Sequence, residues 1–204
     1  MTLPSLLEIT GVIAFALSGM IAARRKDMDP VGIFTVGFVT AFGGGTLRDV
    51  ILGNLPVSWM ADPTVAIAIF FAAIGYAYLP WSRHVRDVHI VVPDALGLGI
   101  FAVMGTRIGL EAGVPYFSAS LLGVITGTFG GVMRDVLCTD IPMIFRKSSL
   151  YASCAFAGCW TLILLRHFGI GEAWQVGLGV VVVFGLRMGA FRFNWRLQGR
   201  AGRG

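Results

Sequence analysis

Apolar residues fall into seven long runs separated by short polar or basic breaks. The first extends from about Leu3 to Ala23, the second from about Val31 to Leu55 with Pro56 at its end, and the third from about Pro63 to Leu79. Beyond a basic loop, the fourth covers about Pro93 to Leu110, the fifth about Val114 to Asp140, the sixth about Leu150 to Phe168 and the seventh about Ala173 to Phe191. A bilayer crossing needs about 20 apolar residues, so the pattern predicts seven membrane helices. The basic flank of the first, Arg24-Arg25-Lys26, follows the apolar run. A secretory signal has the opposite polarity, so the first run is expected to be a retained helix with its N-terminus outside.

The second and fifth runs are interrupted at corresponding places. Thr40-Ala41-Phe42-Gly43-Gly44-Gly45-Thr46-Leu47-Arg48-Asp49-Val50 sits in one, and Thr126-Gly127-Thr128-Phe129-Gly130-Gly131-Val132-Met133-Arg134-Asp135-Val136 in the other. The offset is 134 − 48 = 86 residues, and it holds without a gap from Glu8 to Pro56. It places Gly11 on Gly97, Phe15 on Phe101, Gly19 on Gly105, Gly37 on Gly123, Pro56 on Pro142, and Glu8 on Asp94. Each half then holds three helices. An odd number inverts the second half against the first, the plan in which broken helices meet at a site near the midplane. The domain organisation expected is one membrane domain over 1–191, with repeats over about 3–80 and 93–168, a seventh helix over about 173–191, and a basic cytoplasmic tail over 192–204.

Composition agrees with this reading: 56% of residues are hydrophobic and only 13% charged, with a mean hydropathy of +0.79, whereas soluble domains are about 25% charged. The net charge of +5 follows topology rather than nucleic-acid binding. One set of alternate loops carries Arg24, Arg25, Lys26, Arg83, Arg86, Arg146 and Lys147, with Arg192, Arg196, Arg200 and Arg203 in the tail, against Arg107 and Arg166 on the other side. That bias puts the C-terminus in the cytoplasm. Cys138, Cys154 and Cys159 have no CxxC spacing, and His84, His89 and His167 are scattered, so neither a disulfide framework nor a resident metal is expected.

Consecutive glycines cost about 1 kcal/mol each in a helix, so breaks are expected at Gly43, Gly44 and Gly45 and at Gly130 and Gly131. Gly37, Ala41, Gly123 and Gly127 fit close helix packing better. Freed carbonyls would line a wet cavity and meet cations. Charges at mid-bilayer cost roughly 2.5–3.5 kcal/mol each, so Arg48, Asp49, Arg134 and Asp135 must be paired. Neighbours on a helix point about 100° apart, and crossed pairs, Arg48 with Asp135 and Arg134 with Asp49, are the expectation. Thr40, Thr46, Thr126 and Thr128 could offer hydroxyls to an ion, although membrane threonines often bond back to their own helix. Phosphate-loop, dinucleotide, HExxH and GxSxG patterns are missing, which argues against an enzyme, and no cofactor is implied.

With its duplicated glycine-plus-Arg-Asp motif and three-plus-three-plus-one count, the chain resembles the prokaryotic branch of the trimeric intracellular cation channel family. Bacterial members have also been grouped as a "glycine transporter" domain family. The resemblance covers about Leu3 to Phe191. It implies an all-α homotrimer in the cell inner membrane with one pore per protomer, lined by the second and fifth helices and passing K+, with Na+ as a second permeant ion. The second motif has Phe129 where the first has Gly43, so Phe42 and Phe129 become candidates for a hydrophobic constriction. Gly185-xxx-Gly189 and Gly105-xxx-Gly109 are candidate trimer faces. A secondary carrier of a small solute such as an amino acid is the alternative, and a non-transporting scaffold the third reading. A cavity open to one side only would favour the carrier, and dense packing with no cavity the scaffold.

Overall fold

The first helix, α1 (Leu3–Arg25), ends on Arg24 and Arg25, cations that suit the negative end of a helix dipole. Asp29 then caps α2 (Pro30–Leu52): its carboxylate accepts from the Gly32 N–H, and Pro30 occupies the first helical turn, where a missing N–H costs nothing. Gly53, left-handed at φ 72°, closes α2 by donating its N–H to the carbonyls of Asp49 and Val50. A single turn, α3 (Ser58–Ala61), leads into α4 (Thr64–Tyr78). The second half repeats the order with α5 (Asp87–Glu111), α6 (Tyr116–Leu137), a 3-10 turn (Met143–Phe145) and α7 (Tyr151–His167), and α8 (Glu172–Phe193) follows. This computed structural model describes residues 3–79, 86–146 and 150–195. Of the basic residues used for orientation, Arg83, Lys147, Arg196, Arg200 and Arg203 lie outside the described residues.

The protein is an all-helical membrane protein. Among the described residues, five helices (α1, α2, α5, α6 and α8) are long and apolar enough to cross a bilayer. At 15 and 17 residues, α4 and α7 are shorter. Large apolar side chains also face outward, among them Ile13, Ile67, Phe71, Phe117, Ile125 and Val181. A helix apolar all round is at home only in a core or in lipid. The fourth span starts earlier than expected: α5 begins at Asp87 and carries Pro93 inside it.

Packing follows the repeat. Within each half, α1 lies on α2 and α5 on α6, with α4 against α2 and α7 against α6. Between the halves α1 packs on α5 and α2 on α6, whereas α8, which has no counterpart, covers α5 and α7. Contacts are duplicated at atomic detail. A Cβ on Gly19 would lie 2.6 Å from the Thr40 hydroxyl, and one on Gly105 2.7 Å from the Thr126 hydroxyl. Phe15 and Phe101, images of each other, stack with centroids 5.4 Å apart and planes 12° from parallel, so the pseudo-two-fold axis passes between them.

The expected breaks at Gly43–Gly45 and Gly130–Gly131 are not there: α2 and α6 run through both glycine runs as uninterrupted helices. The glycines serve the crossing of those helices instead. A Cβ on Gly44 would come within 2.0 Å of the Thr126 carbonyl oxygen, and one on Gly130 within 2.3 Å of the Thr40 carbonyl oxygen. Backbone meets backbone there, which no larger residue permits. An unbroken ladder also keeps backbone polar groups satisfied at membrane depth. The Gly105-xxx-Gly109 face is likewise spent inside the chain. Gly105 meets Thr126 and Gly123, and Gly109 meets Leu122 and Ala119, so this face is unavailable to a neighbouring protomer.

Candidate functional site

The crossing fixes where the charged motif lies. Gly44 faces Thr126 and Gly130 faces Thr40, so α2 and α6 are antiparallel and cross midway, at Phe42 and Thr128. Arg48 and Arg134 are each six positions further on, about 9 Å along their helices in opposite directions. The two Arg-Asp pairs therefore stand about 18 Å apart along the crossing rather than together at the midplane, and crossed pairs cannot form.

Each arginine is instead neutralised within its own half. Arg48 donates from Nε to Asp49 Oδ1 at 2.8 Å and from Nη1 to Glu8 Oε1 at 3.2 Å. Arg134 donates from Nε to Asp135 Oδ1 at 2.9 Å and from Nη1 to Asp94 Oδ1 at 2.6 Å. The 100° rule describes Cβ directions, and the long arginine stem curls round to reach the next residue's carboxylate. Glu8 and Asp94, aligned by the repeat, thus supply the second acid of equivalent clusters.

The clusters differ in closure. At the Arg134 end, Nη1 also donates to Ser18 Oγ, Ser18 Oγ donates to the Ile90 carbonyl, and Tyr151 Oη donates to Asp94 Oδ1. Asp135 Oδ2 accepts from the Met143 N–H at 2.8 Å. Asp94 is fully sealed, with Oδ2 lacking a hydrogen-bond donor among the described residues. Glu8 keeps 34% of its side chain exposed. Ser18, Tyr151 and Arg187 escaped sequence reasoning because they fall outside the repeated motif. The Phe15–Phe101 stack was signalled by the repeat itself, since the offset pairs the two residues.

A cavity reaches each cluster from its own end of the bundle. One, of about 190 Å³, is lined by Glu8, Phe42, Gly45, Arg48, Trp59 and Asp62 among others, and reaches Phe101. The other, of about 460 Å³, opens near the end of α1 and reaches Arg134, Asp135 and Arg187. They share no lining residue. Of the remaining candidates, Thr40, Thr126 and Thr128 donate their hydroxyls to the carbonyls of Val36, Leu122 and Val124, and Thr46 accepts from Trp59 Nε1. None of these threonines lines either cavity. Phe129 packs on Gly43, and Gly131 lies beneath Tyr151 and Asp94, where a Cβ would be 2.7 Å from the phenol oxygen.

A family model described as "Glycine transporter" matches the chain twice, over residues 5–81 and 91–167. The two matches differ by 91 − 5 = 86 residues, the offset read from the motif. The chain belongs to this glycine transporter family. Other members include the UPF0126 inner membrane protein YadS of Escherichia coli K12, 34% identical over 192 residues that cover 94% of this chain and 93% of that one. The UPF0126 membrane protein YvgT of Bacillus subtilis is 33% identical, covering 96% of each. Among solved structures, the trimeric intracellular cation channel orthologue from Rhodobacter sphaeroides superposes with a TM-score of 0.87 at 34% identity, covering 96% of this chain and all of that one. A structure described as the basis for conductance through such channels gives 0.86 at 27% identity, with full coverage of both chains. These structural neighbours are cation channels.

Proposed function

We propose that the protein is a monovalent cation channel, chiefly for K+, in which each protomer of a homotrimer carries its own path between α2 and α6. The observation that supports this reading most is the pair of cavities. They approach the duplicated Arg-Asp clusters from opposite ends and are separated by the Phe15–Phe101 stack and the α2–α6 crossing. A path open at both mouths and closed at its waist suits a gated pore. A one-sided cavity would have suited a carrier, and a solid interior a scaffold. The likeness to solved cation channels agrees. Phe42 borders the Arg48 cavity just short of the waist, where it would take part in the constriction. The N-terminus would lie outside the inner membrane and the C-terminus in the cytoplasm.

The description of the family as a glycine transporter favours a second reading, a carrier of small zwitterions. One experiment separates the two. Purified protein in a planar bilayer under a KCl gradient is expected to give discrete current steps reversing near the potassium potential, with altered conductance in Asp49→Asn and Asp135→Asn. Silence at every voltage, together with saturable glycine uptake into proteoliposomes, would replace the channel by the carrier.

A further inference from the structure

The two mouths carry opposite charge. The charged residues at the Arg48 mouth are Arg48, Glu8 and Asp62 on its wall and Asp49, which Arg48 binds, a sum of 1 − 3 = −2. The basic residues lining the Arg134 mouth are Arg25, Lys26, Arg134, Arg146 and Arg187. Against them stand Asp87, Asp135 and Asp140 on the wall and Asp94, which Arg134 binds, giving 5 − 4 = +1. Arg25 pairs with Asp87, Lys26 with Asp140 at 2.8 Å, and Arg134 with Asp94 and Asp135.

Arg187 belongs to α8, the helix outside the repeat, and has no counterpart in the first half. Its guanidinium lies over the Tyr151 ring at 4.9 Å and donates from Nη2 to the Met143 sulfur at 3.2 Å. It has no carboxylate within ion-pair distance among the described residues. Only 3% of Arg187 is exposed, so its guanidinium is held in one place at the mouth. On the opposite side, the Asp62 carboxyl is held below its usual range by hydrogen bonds from the Thr64 side chain and backbone.

We infer that α8 polarises the path: Arg187 makes the Arg134 mouth net positive while Glu8 and Asp62 make the Arg48 mouth net negative, so that cations enter more readily at the Arg48 mouth and the current rectifies. The inference rests on the channel reading. A unit charge about 6 Å from the path in a water-filled mouth changes local cation occupancy about threefold.

The test is the single-channel current–voltage curve in symmetrical 0.1 M KCl for the wild type, Glu8→Gln, Arg187→Gln and Arg187→Lys. Wild type is expected to show one larger and one smaller limb. Glu8→Gln should lower the larger limb and Arg187→Gln raise the smaller one, each by up to about threefold, while Arg187→Lys keeps the wild-type ratio. Raising KCl to 1 M, where the screening length is about 3 Å, should bring the ratio towards one, which an asymmetry of shape alone would not do. Should Arg187→Gln fail to fold, the Glu8→Gln limb and the salt series decide the matter. A conducting wild type with equal limbs, or unequal limbs that neither substitution nor salt alters, overturns the inference alone. A wild type that never conducts overturns the channel reading and this inference with it.

Discussion

Arg48 and Arg134 occupy equivalent positions but sit in unequal surroundings. Arg134 is bound by fully sealed Asp94, which also receives the Tyr151 hydroxyl, whereas Arg48 shares partly exposed Glu8. Removing one partner of a buried ion pair costs about 3–5 kcal/mol, and a partner in contact with water about 0–1 kcal/mol. Asp94→Asn is therefore expected to lower the thermal unfolding midpoint in detergent by far more than Glu8→Gln. Equal losses would contradict the difference in burial. At this scale the sequence was half legible. It aligned Glu8 with Asp94 and marked all four motif charges as needing partners. It could not connect acid to arginine, because an arginine side chain is long enough for several partners and only packing chooses among them. Ser18, Tyr151 and Arg187 carried no signal, since none of them lies in the repeated motif.

At the scale of the helices, Gly44 and Gly130 matter for what they lack. Adding a methyl group at either would drive it into the opposing backbone, and overpacking of this kind costs about 1–3 kcal/mol. Gly44→Ala and Gly130→Ala should each lower the unfolding midpoint, whereas Gly75→Ala and Gly177→Ala, at helical positions with nothing within 4 Å, should leave it unchanged or raise it through better helix propensity. A melting series that failed to separate the two pairs would mean that α2 and α6 do not cross at these glycines. The run of glycines did announce something unusual in α2 and α6. A break and a close crossing call for the same residue, however, and composition alone does not tell them apart. The helices stay unbroken because the crossing compensates for the glycines' poor propensity while every backbone hydrogen bond along the helix is kept.

For the whole molecule, the 86-residue offset was the most legible feature, and the duplicated contacts follow it atom by atom. Inversion makes a direct prediction. Val31 at the start of α2 and Phe117 at the start of α6 are both exposed, and they should face opposite sides of the membrane. In a cysteine-free background, Val31→Cys should react with an impermeant thiol reagent only from the cytoplasmic side and Phe117→Cys only from the other. Labelling of both from one side would rule out the inverted arrangement. The stacked pair Phe15 and Phe101 carries a consequence for how the two halves can change. A residue on the axis touches its own image, so each half's copy must suit a near-replica of itself, and two flat aromatic rings do. Elsewhere the halves have drifted apart: Glu8 corresponds to Asp94 and Ser18 to Met104, and near the crossing Gly43 packs against its own image, Phe129, a small residue against a large one. Symmetry thus constrains this protein where one aromatic ring lies on its own image and leaves its two ends free to specialise.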